Sequence, residues 1–213
     1  MAGATGLVGQ AVLAGLLTDK RYQAVHTVGR RRPAVEHPKL HGHVVDFASP
    51  DMLQGLGPVD DVFIALGTTI KVAGSQLAFR SVDYDAVVAV ALAAKAAGAT
   101  KLGVISAMGA EAGSRIFYNR VKGEMEVALR RIGFPVLVIA RPSMLSGDRD
   151  TLAQATRPAE KLGLLAMTVL NPLIPANYKA ISADQVAHAL LSVMHHTKQA
   201  TRVLLSGEMQ SIT

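Results

Sequence analysis

Gly3-Ala4-Thr5-Gly6-Leu7-Val8-Gly9 runs without a break into residues 10–18, an apolar segment compatible with a helix. Three glycines at this spacing permit a tight strand-to-helix turn and a close approach of the backbone to a pyrophosphate. They also leave N–H groups at a helix N-terminus that point at the anion. The stretch therefore predicts a dinucleotide-binding turn. Only Met1 and Ala2 precede it, so the strand that normally leads into such a turn is predicted to be truncated.

Short apolar segments alternate with helical patterns along the rest of the chain. The segments that favour strands are residues 24–28, 44–45, 62–66, 102–105 and 136–140. Helices are predicted from about residue 75 to 97, from about 114 to 132, and from a capping box that begins at Ser182. The alternation predicts an α/β protein with a doubly wound parallel sheet of the Rossmann type. We expect a single domain over residues 1–213, with residues 143–180 as a lid on the substrate side.

Composition narrows the class of protein. Half of the 213 residues are hydrophobic (50%), yet no apolar run is long enough to span a membrane and no signal peptide is recognised. We therefore expect a soluble, cytoplasmic protein that has no membrane partner. The absence of cysteine excludes disulfides, thiolate catalysis and cysteine-ligated metals. The histidine pairs 41/43 and 195/196 lack carboxylates at ligand spacing, so no metal site is predicted.

Tyr118 and Lys122 lie four residues apart in the second predicted helix, so they share one of its faces. A phenol has a pKa near 10 and exchanges a proton poorly at neutral pH unless a cation stabilises the phenolate, which Lys122 could do while also binding a ribose. Ser106 ends a predicted strand twelve residues before the tyrosine, where ligands dock in open parallel sheets. Together the three residues predict a Ser-Tyr-Lys site. A chance occurrence of the Tyr-x-x-x-Lys pair is the alternative.

With these motifs the sequence resembles the atypical or extended short-chain dehydrogenases/reductases, and among them the Tat-interacting-protein-like (metastasis-suppressor) oxidoreductase branch. The resemblance covers nearly the whole length and is carried by Val45-Asp46-Phe47, Leu66-Gly67-Thr68-Thr69, Ala73-Gly74, residues 79–84, residues 118–124 and Arg141-Pro142. It departs from the branch in the truncated first strand and at Ala107, where many relatives carry a second hydroxyl residue.

The resemblance implies an NADP(H)-binding Rossmann fold and assigns roles to individual residues. Catalysis would fall to Ser106, Tyr118 and Lys122, with Lys122 also on the cofactor. The pyrophosphate would contact Gly3, Thr5, Gly6, Leu7 and Val8, and the adenosine side would contact Asp46, Phe47, Leu66, Gly67 and Thr68. Pro142 and Ser143, after Arg141, would approach the nicotinamide.

The residues after the second strand indicate which cofactor is used. An NAD site places a carboxylate there for the ribose hydroxyls, but this chain has Gly29-Arg30-Arg31-Arg32. Arginine offers a planar set of donors that suits a phosphate, so Arg30 and Arg31 predict binding of the 2′-phosphate of NADP(H). A solvated basic loop is the alternative. The net charge of +6 raises the question of nucleic acid, but no basic stripe with interleaved aromatic residues is present, so no nucleic-acid partner is predicted.

These observations predict an NADP(H)-dependent oxidoreductase that moves a hydride between the nicotinamide and a small carbonyl or alcohol substrate. One alternative is a cofactor-binding regulatory or redox-sensing protein that acts by protein contact without turnover. Another is a chain that folds poorly because its first strand is truncated. We expect the natural gene to encode several apolar residues upstream of Met1. The pattern predicts neither the substrate nor the oligomeric state.

Overall fold

The computed structural model describes residues 1–49, 56–146 and 175–212. Its first half contains α1 (Leu7–Thr18), β1 (Val25–Gly29), β2 (Leu40–Val44), β3 (Asp61–Ile64), α2 (Ile70–Ala73), α3 (Gln76–Arg80), a π-helical turn (Ser81–Asp85) and α4 (Ala86–Ala96). The second half contains β4 (Lys101–Ile105), α5 (Phe117–Ile132), β5 (Val136–Arg141), β6 (Leu145–Ser146), a 3₁₀ turn (Ala176–Tyr178), β7 (Ile181–Ser182), α6 (Ala183–His196), β8 (Thr201–Leu205) and α7 (Ser206–Ser211).

The long strands form a parallel sheet. β1 pairs with β2, and β3, β4, β5 and β8 pair in that order. Ala2 joins the two groups, because it forms a parallel bridge to Val28 of β1 and another to Ile64 of β3. The spatial order is therefore β2, β1, Ala2, β3, β4, β5, β8. The predicted α/β fold with a doubly wound parallel sheet and a truncated first strand is confirmed.

Aliphatic side chains bury both faces of this sheet. On one face α1 and α6 contribute Val12, Leu16 and Leu190 to a cluster that includes Phe63 and Val138 of the sheet. On the other face α4 and α5 pack against the sheet through a second cluster of buried residues: Val87, Val90, Met125, Leu129, Val62, Ile64, Leu102, Val104 and Ile139. Burial of each such side chain stabilises the fold by roughly 1.5–3 kcal/mol.

Several helix ends lie where the sequence places them. Ser182 and Gln185 form the predicted capping box of α6, and Gly133 ends α5 in the left-handed conformation. α5 begins at Phe117 rather than at about residue 114, because the Ser114 hydroxyl accepts the N–H of Ile116 in a turn ahead of the helix. The predicted helix over residues 75–97 is interrupted by the π-helical turn, and β8 and α7 were not predicted.

Met1 and Ala2 occupy the carboxyl end of the position that a central strand would fill. The Ala2 N–H donates to Phe63 O at 2.8 Å, and Ala2 O and Met1 O each accept a backbone N–H at 2.9 Å, from Ala65 and Val28. Beyond Met1 the two groups of strands border a cavity of about 440 Å³, with Val25, Val62 and Phe63 in its wall. The gap expected from the truncated strand is therefore present.

Candidate active site

The glycines of the first turn are fixed by close backbone contacts. Gly3 has φ +85°, and a Cβ added to it would lie 2.4 Å from Ala65 O. A Cβ on Gly9 would lie 1.9 Å from Gly3 O, so α1 can pack against the turn only with glycine there. At Gly6 the nearest such contact is 3.6 Å, to Gly3 O. The face of the turn at Gly6 is thus open, as the approach of a pyrophosphate requires.

A cleft of about 680 Å³ lies at the carboxyl edge of the sheet, beside this turn. Its wall includes ten of the residues predicted to contact cofactor: Gly3, Thr5, Gly6, Arg30, Arg31, Asp46, Phe47, Leu66, Gly67 and Thr68. It also includes residues that were not predicted: Ser81, Val82, Asp85, Ala86 and Ala89. The helical pattern over this region indicated a helix, but it could not show which of its faces meets the cleft.

Two other residues that were predicted to contact the cofactor, Leu7 and Val8, do not line the cleft. Val8 is buried in the core between α1 and the sheet, and Leu7 begins α1 with its side chain half exposed. These residues can support the anion site through their backbone, whereas their side chains lie outside the wall of the cleft.

The cleft has donors and acceptors for a dinucleotide. Arg30 and Arg31 are exposed at its edge, directly after β1. Thr27 also lines it, and the buried Thr27 Oγ1 has no hydrogen-bond partner among the residues that the structure describes. An unpaired buried hydroxyl is costly, so a polar ligand group that reaches it would be stabilised. The open glycine turn, the two guanidinium groups and this hydroxyl fit a phosphorylated dinucleotide.

Lys122 lies on α5, against the loop after β3 that forms one wall of the cleft, but it does not line the cleft itself. Its side chain is buried, and its Nζ lies 2.7 Å from Asp83 Oδ1, in an ion pair whose carboxylate is also buried. A Cβ added to Gly67 would lie 3.8 Å from Lys122 Nζ, so the ammonium group lies against the loop after β3. Asp83 was not predicted as a site residue. The sequence alone does not distinguish it from the exposed Asp85 two residues later, because only packing determines which of the two carboxylates is buried.

Tyr118 lies one turn before Lys122 on α5, and its ring packs 5.4 Å from that of Phe79, centroid to centroid. Burial raises the pKa of Tyr118 to about 12, and the negative charge of Asp83 contributes to the increase. The sequence predicted that Lys122 would favour the phenolate. In the structure the ammonium has a carboxylate partner, and the phenol is held protonated.

Ser106 lies just beyond the end of β4 and is almost completely buried. Its Oγ donates to Glu126 Oε1 at 2.6 Å. Arg141 forms two hydrogen bonds to the same carboxylate, at 2.8 and 2.7 Å, and Arg130 a third at 3.2 Å. Glu126 follows Lys122 by four residues, so Tyr118, Lys122 and Glu126 lie along one face of α5. The structure thus brings Ser106 to a glutamate that the sequence analysis did not single out.

Pro142 and Ser143 continue from β5. Pro142 O accepts the N–H of Met108 at 2.9 Å, which fixes the loop after Ser106. The Ser143 hydroxyl donates to Lys179 O and bonds to Ser206 Oγ at 2.8 Å, so it links β5 to the C-terminal segments. Of the predicted lid, residues 143–146 and 175–180 are described, and its remaining part lies outside the described residues. In the described ranges, no helix is both long and apolar enough to cross a membrane.

Comparison with known proteins agrees with this geometry. Residues 3–197 match the NAD(P)H-binding family. The fmp52 protein of Emericella nidulans is 34% identical over 165 residues, which cover 74% of this chain and 69% of the relative, and that of Aspergillus niger is 36% identical over the same shares. Both are named mitochondrial proteins. The expectation of a cytoplasmic protein is therefore wrong. Composition does not indicate the compartment in which a protein resides.

Solved structures show the same fold. UDP-glucose 4-epimerase of Thermotoga maritima superposes with a TM-score of 0.70 at 14% identity, over 97% of this chain and 76% of the epimerase. Triphenylmethane reductase of Citrobacter, solved with NADP(H), gives a TM-score of 0.62 at 18% identity over 94% of this chain and 67% of the reductase. The glycine turn, the cleft beside it and these similarities lead to one conclusion: the chain belongs to the NAD(P)H-binding family and has the Rossmann-type fold that it shares with these two structures.

Proposed function

We propose that this protein binds NADP(H) and transfers a hydride between the nicotinamide and a carbonyl or alcohol substrate. The observation that carries the proposal is the wall of the cleft, where an open glycine turn lies beside Arg30 and Arg31. Directly after β1, where an NAD site has a carboxylate for the ribose hydroxyls, this chain has Arg30 and Arg31, and their guanidinium groups suit a 2′-phosphate. The motifs shared with the Tat-interacting-protein-like branch support the same activity.

In this proposal the cofactor supplies or accepts the hydride, and the side chains of α5 handle the proton. Tyr118 Oη would donate its proton to the substrate oxygen during reduction, and its burial keeps that proton in place until a substrate arrives. Lys122, at the loop after β3, would bind the ribose and stabilise the phenolate that forms. Ser106 would orient the substrate oxygen. Because its hydroxyl donates to Glu126, the substrate must replace the glutamate as acceptor.

A cofactor-binding regulator without turnover is the second candidate, and one observation favours it. The proposed catalytic hydroxyl and ammonium already have buried partners, since Ser106 bonds to Glu126 and Lys122 pairs with Asp83. Such an arrangement would bind the cofactor and present a fixed surface. Pro142 and Ser143 would then serve mainly to connect the sheet with the C-terminal segments.

Replacing Tyr118 by phenylalanine separates the two candidates. The change removes only the hydroxyl, so we expect the affinity for NADPH, measured by fluorescence titration, to stay nearly unchanged. Consumption of NADPH with a panel of carbonyl compounds should fall by about 10²-fold or more, the usual contribution of a general acid. The matched control is Tyr22→Phe, because Tyr22 lines the cavity between β1 and β3 and not the cofactor cleft, so both quantities should stay unchanged.

Two outcomes would count against the enzyme. Full activity of Tyr118→Phe on an identified substrate would reject the proposed proton donor. Tight binding of NADPH with no consumption for any carbonyl compound in the panel would instead select the regulator.

A further inference from the structure

Asp83 lies in an irregular part of the chain, and it has no role in the reaction proposed above. The π-helical turn Ser81–Asp85 joins α3 to α4, and Asp83 is its one fully buried residue. π-Helical turns within α-helices occur frequently at functional sites, because the extra residue rotates the following side chains. Here Ser81, Val82 and Asp85 of the turn line the cleft, whereas Asp83 points into the protein.

The two oxygens of the Asp83 carboxylate contact two different parts of the site. Oδ1 lies 2.7 Å from Lys122 Nζ on α5, and Oδ2 accepts the N–H of Thr68 at 2.9 Å. Thr68 belongs to the loop after β3, which forms one wall of the cofactor cleft. The carboxylate therefore ties the ammonium of α5 to that wall, and both members of the ion pair are almost completely buried.

Tyr118 lies on the same face of α5 as Lys122. Asp83 approaches from the π-helical turn, Lys122 lies one turn further along α5, and the ring of Phe79 from α3 packs against the phenol. A carboxylate near a phenol disfavours the phenolate, and it also weakens the effect of any cation that it neutralises. Asp83 therefore acts on Tyr118 in two ways, by its own charge and through Lys122.

We propose that Asp83 is a positioning residue that holds the Lys122 ammonium on its carboxylate and so limits the action of that cation on the Tyr118 phenol. This inference rests on the proposed function, because it concerns the proposed proton donor. Its test does not, because the ionisation of Tyr118 is measured without substrate. A failure of this inference and a failure of the proposed activity are therefore distinguishable.

The test is a spectroscopic titration of the tyrosines in the folded protein. Tyrosinate absorbs in the near ultraviolet, and subtracting the curve of the matching Tyr118→Phe protein isolates Tyr118 from the other tyrosines. In Asp83→Asn the shape is kept and the charge is removed, so Lys122 acts on the phenol unopposed. We expect the Tyr118 midpoint to fall by about one pH unit or more, the size of shift that a nearby opposite charge produces. Asp85→Asn, on the same π-helical turn but facing the cleft, should leave the midpoint unchanged.

A second variant keeps the test decisive if the unpaired lysine destabilises the fold. Asp83→Asn with Lys122→Met replaces the ion pair by neutral residues of similar size. If Asp83 acts through Lys122, the Tyr118 midpoint in this double variant should lie above that of Asp83→Asn by most of the original shift. An unchanged midpoint in Asp83→Asn would overturn the proposal. A midpoint equally low in both variants would also overturn it, because the charge of Asp83 would then act directly and not through Lys122. Where a substrate is found, the pH profile of kcat should move in the same direction.

Discussion

The sheet has two parts, one on each side of Ala2, which contribute to the same cleft but are held in place differently. One part is the pair β1 and β2, and the other consists of β3, β4, β5 and β8. The four-stranded part is continuously paired and is covered on both faces by buried aliphatic residues. The strand β1 meets β3 through Met1 and Ala2, beside a cavity of about 440 Å³. Arg30 and Arg31 follow the weakly joined pair, whereas Tyr118 and Lys122 lie on a helix that packs against the four-stranded part. The proposed choice of cofactor and the proposed chemistry therefore rest on parts of the sheet that are paired to different extents.

The junction between the two parts carries unusual electrostatics. The amino group of Met1 is buried and donates to His26 O, and burial lowers its pKa from 8.0 to about 5. His26 Nδ1 lies 3.0 Å from His43 Nε2, and its ring stacks on those of His41 and His43. Burial, and then the neighbouring positive charges, lower the pKa of His26 and of His43. Burial and the neighbouring positive charges therefore oppose protonation of these groups. The groups lie where the sheet has the fewest paired residues.

The largest effect should come from filling the cavity between β1 and β3. A leader of about five Val and Leu residues placed before Met1 would extend the backbone pairing of Ala2 and bury several aliphatic side chains, each worth roughly 1.5–3 kcal/mol. For a chain of this size the melting temperature should rise by about 10 °C or more. Calorimetry would measure it, with a Gly/Ser leader of equal length as the control. An apolar leader that stabilises no more than the Gly/Ser leader would show that the cavity is not a strand site.

A smaller effect is expected from pH. Between about pH 5 and 8 the unfolded chain binds a proton at Met1 that the folded chain does not, because the folded pKa is lowered. The free energy of unfolding should therefore fall as the pH is lowered through this range, by up to roughly 4 kcal/mol from the amine. The lowered pKa values of His26 and His43 act in the same direction below their unfolded pKa of 6.5.

Denaturant unfolding at a series of pH values would measure this loss. Acetylation of the Met1 amine removes one proton site and is the matched control, so the acetylated protein should lose less stability between pH 8 and 5. If both forms show the same dependence on pH, the buried amine does not contribute to it.

The same two parts show what the sequence could predict. The glycine turn, the strands β3, β4 and β5 and the capping box at Ser182 depend on local spacing and apolar runs, and they were predicted closely. β2 was predicted only at its end, because Leu40–Val44 alternates histidine with glycine and is partly exposed. β8 was not predicted at all. Short strands with few buried residues resemble loops in a sequence.

The contacts within the site were harder to predict than the list of its residues. Most residues assigned to the cofactor line one cleft because strand ends of a parallel sheet meet at one edge. The pairing of Lys122 with Asp83, and of Ser106 with Glu126, depends instead on how distant segments pack. The π-helical turn that buries Asp83 has no apolar period of its own. Partners of this kind follow from packing and not from spacing along the chain.

The smallest effect should come from the arginines at the edge of the weakly joined pair. Arg30 and Arg31 are exposed, and each charge-assisted hydrogen bond to a phosphate is worth roughly 1.5–3 kcal/mol, so Arg30→Ala with Arg31→Ala should weaken NADPH binding by about tenfold or more. Affinity for NADH, which lacks the 2′-phosphate, should change little. Arg32→Ala is the matched control, because Arg32 packs over Gly42 beside a neighbouring groove and is not part of the wall of the cleft. Fluorescence titration of the three proteins with both cofactors would measure the six affinities, and equal affinity for NADPH and NADH in the unmodified protein would reject the proposed preference. Because the folding of the four-stranded part does not depend on these side chains, the melting temperature without cofactor should stay the same in all variants.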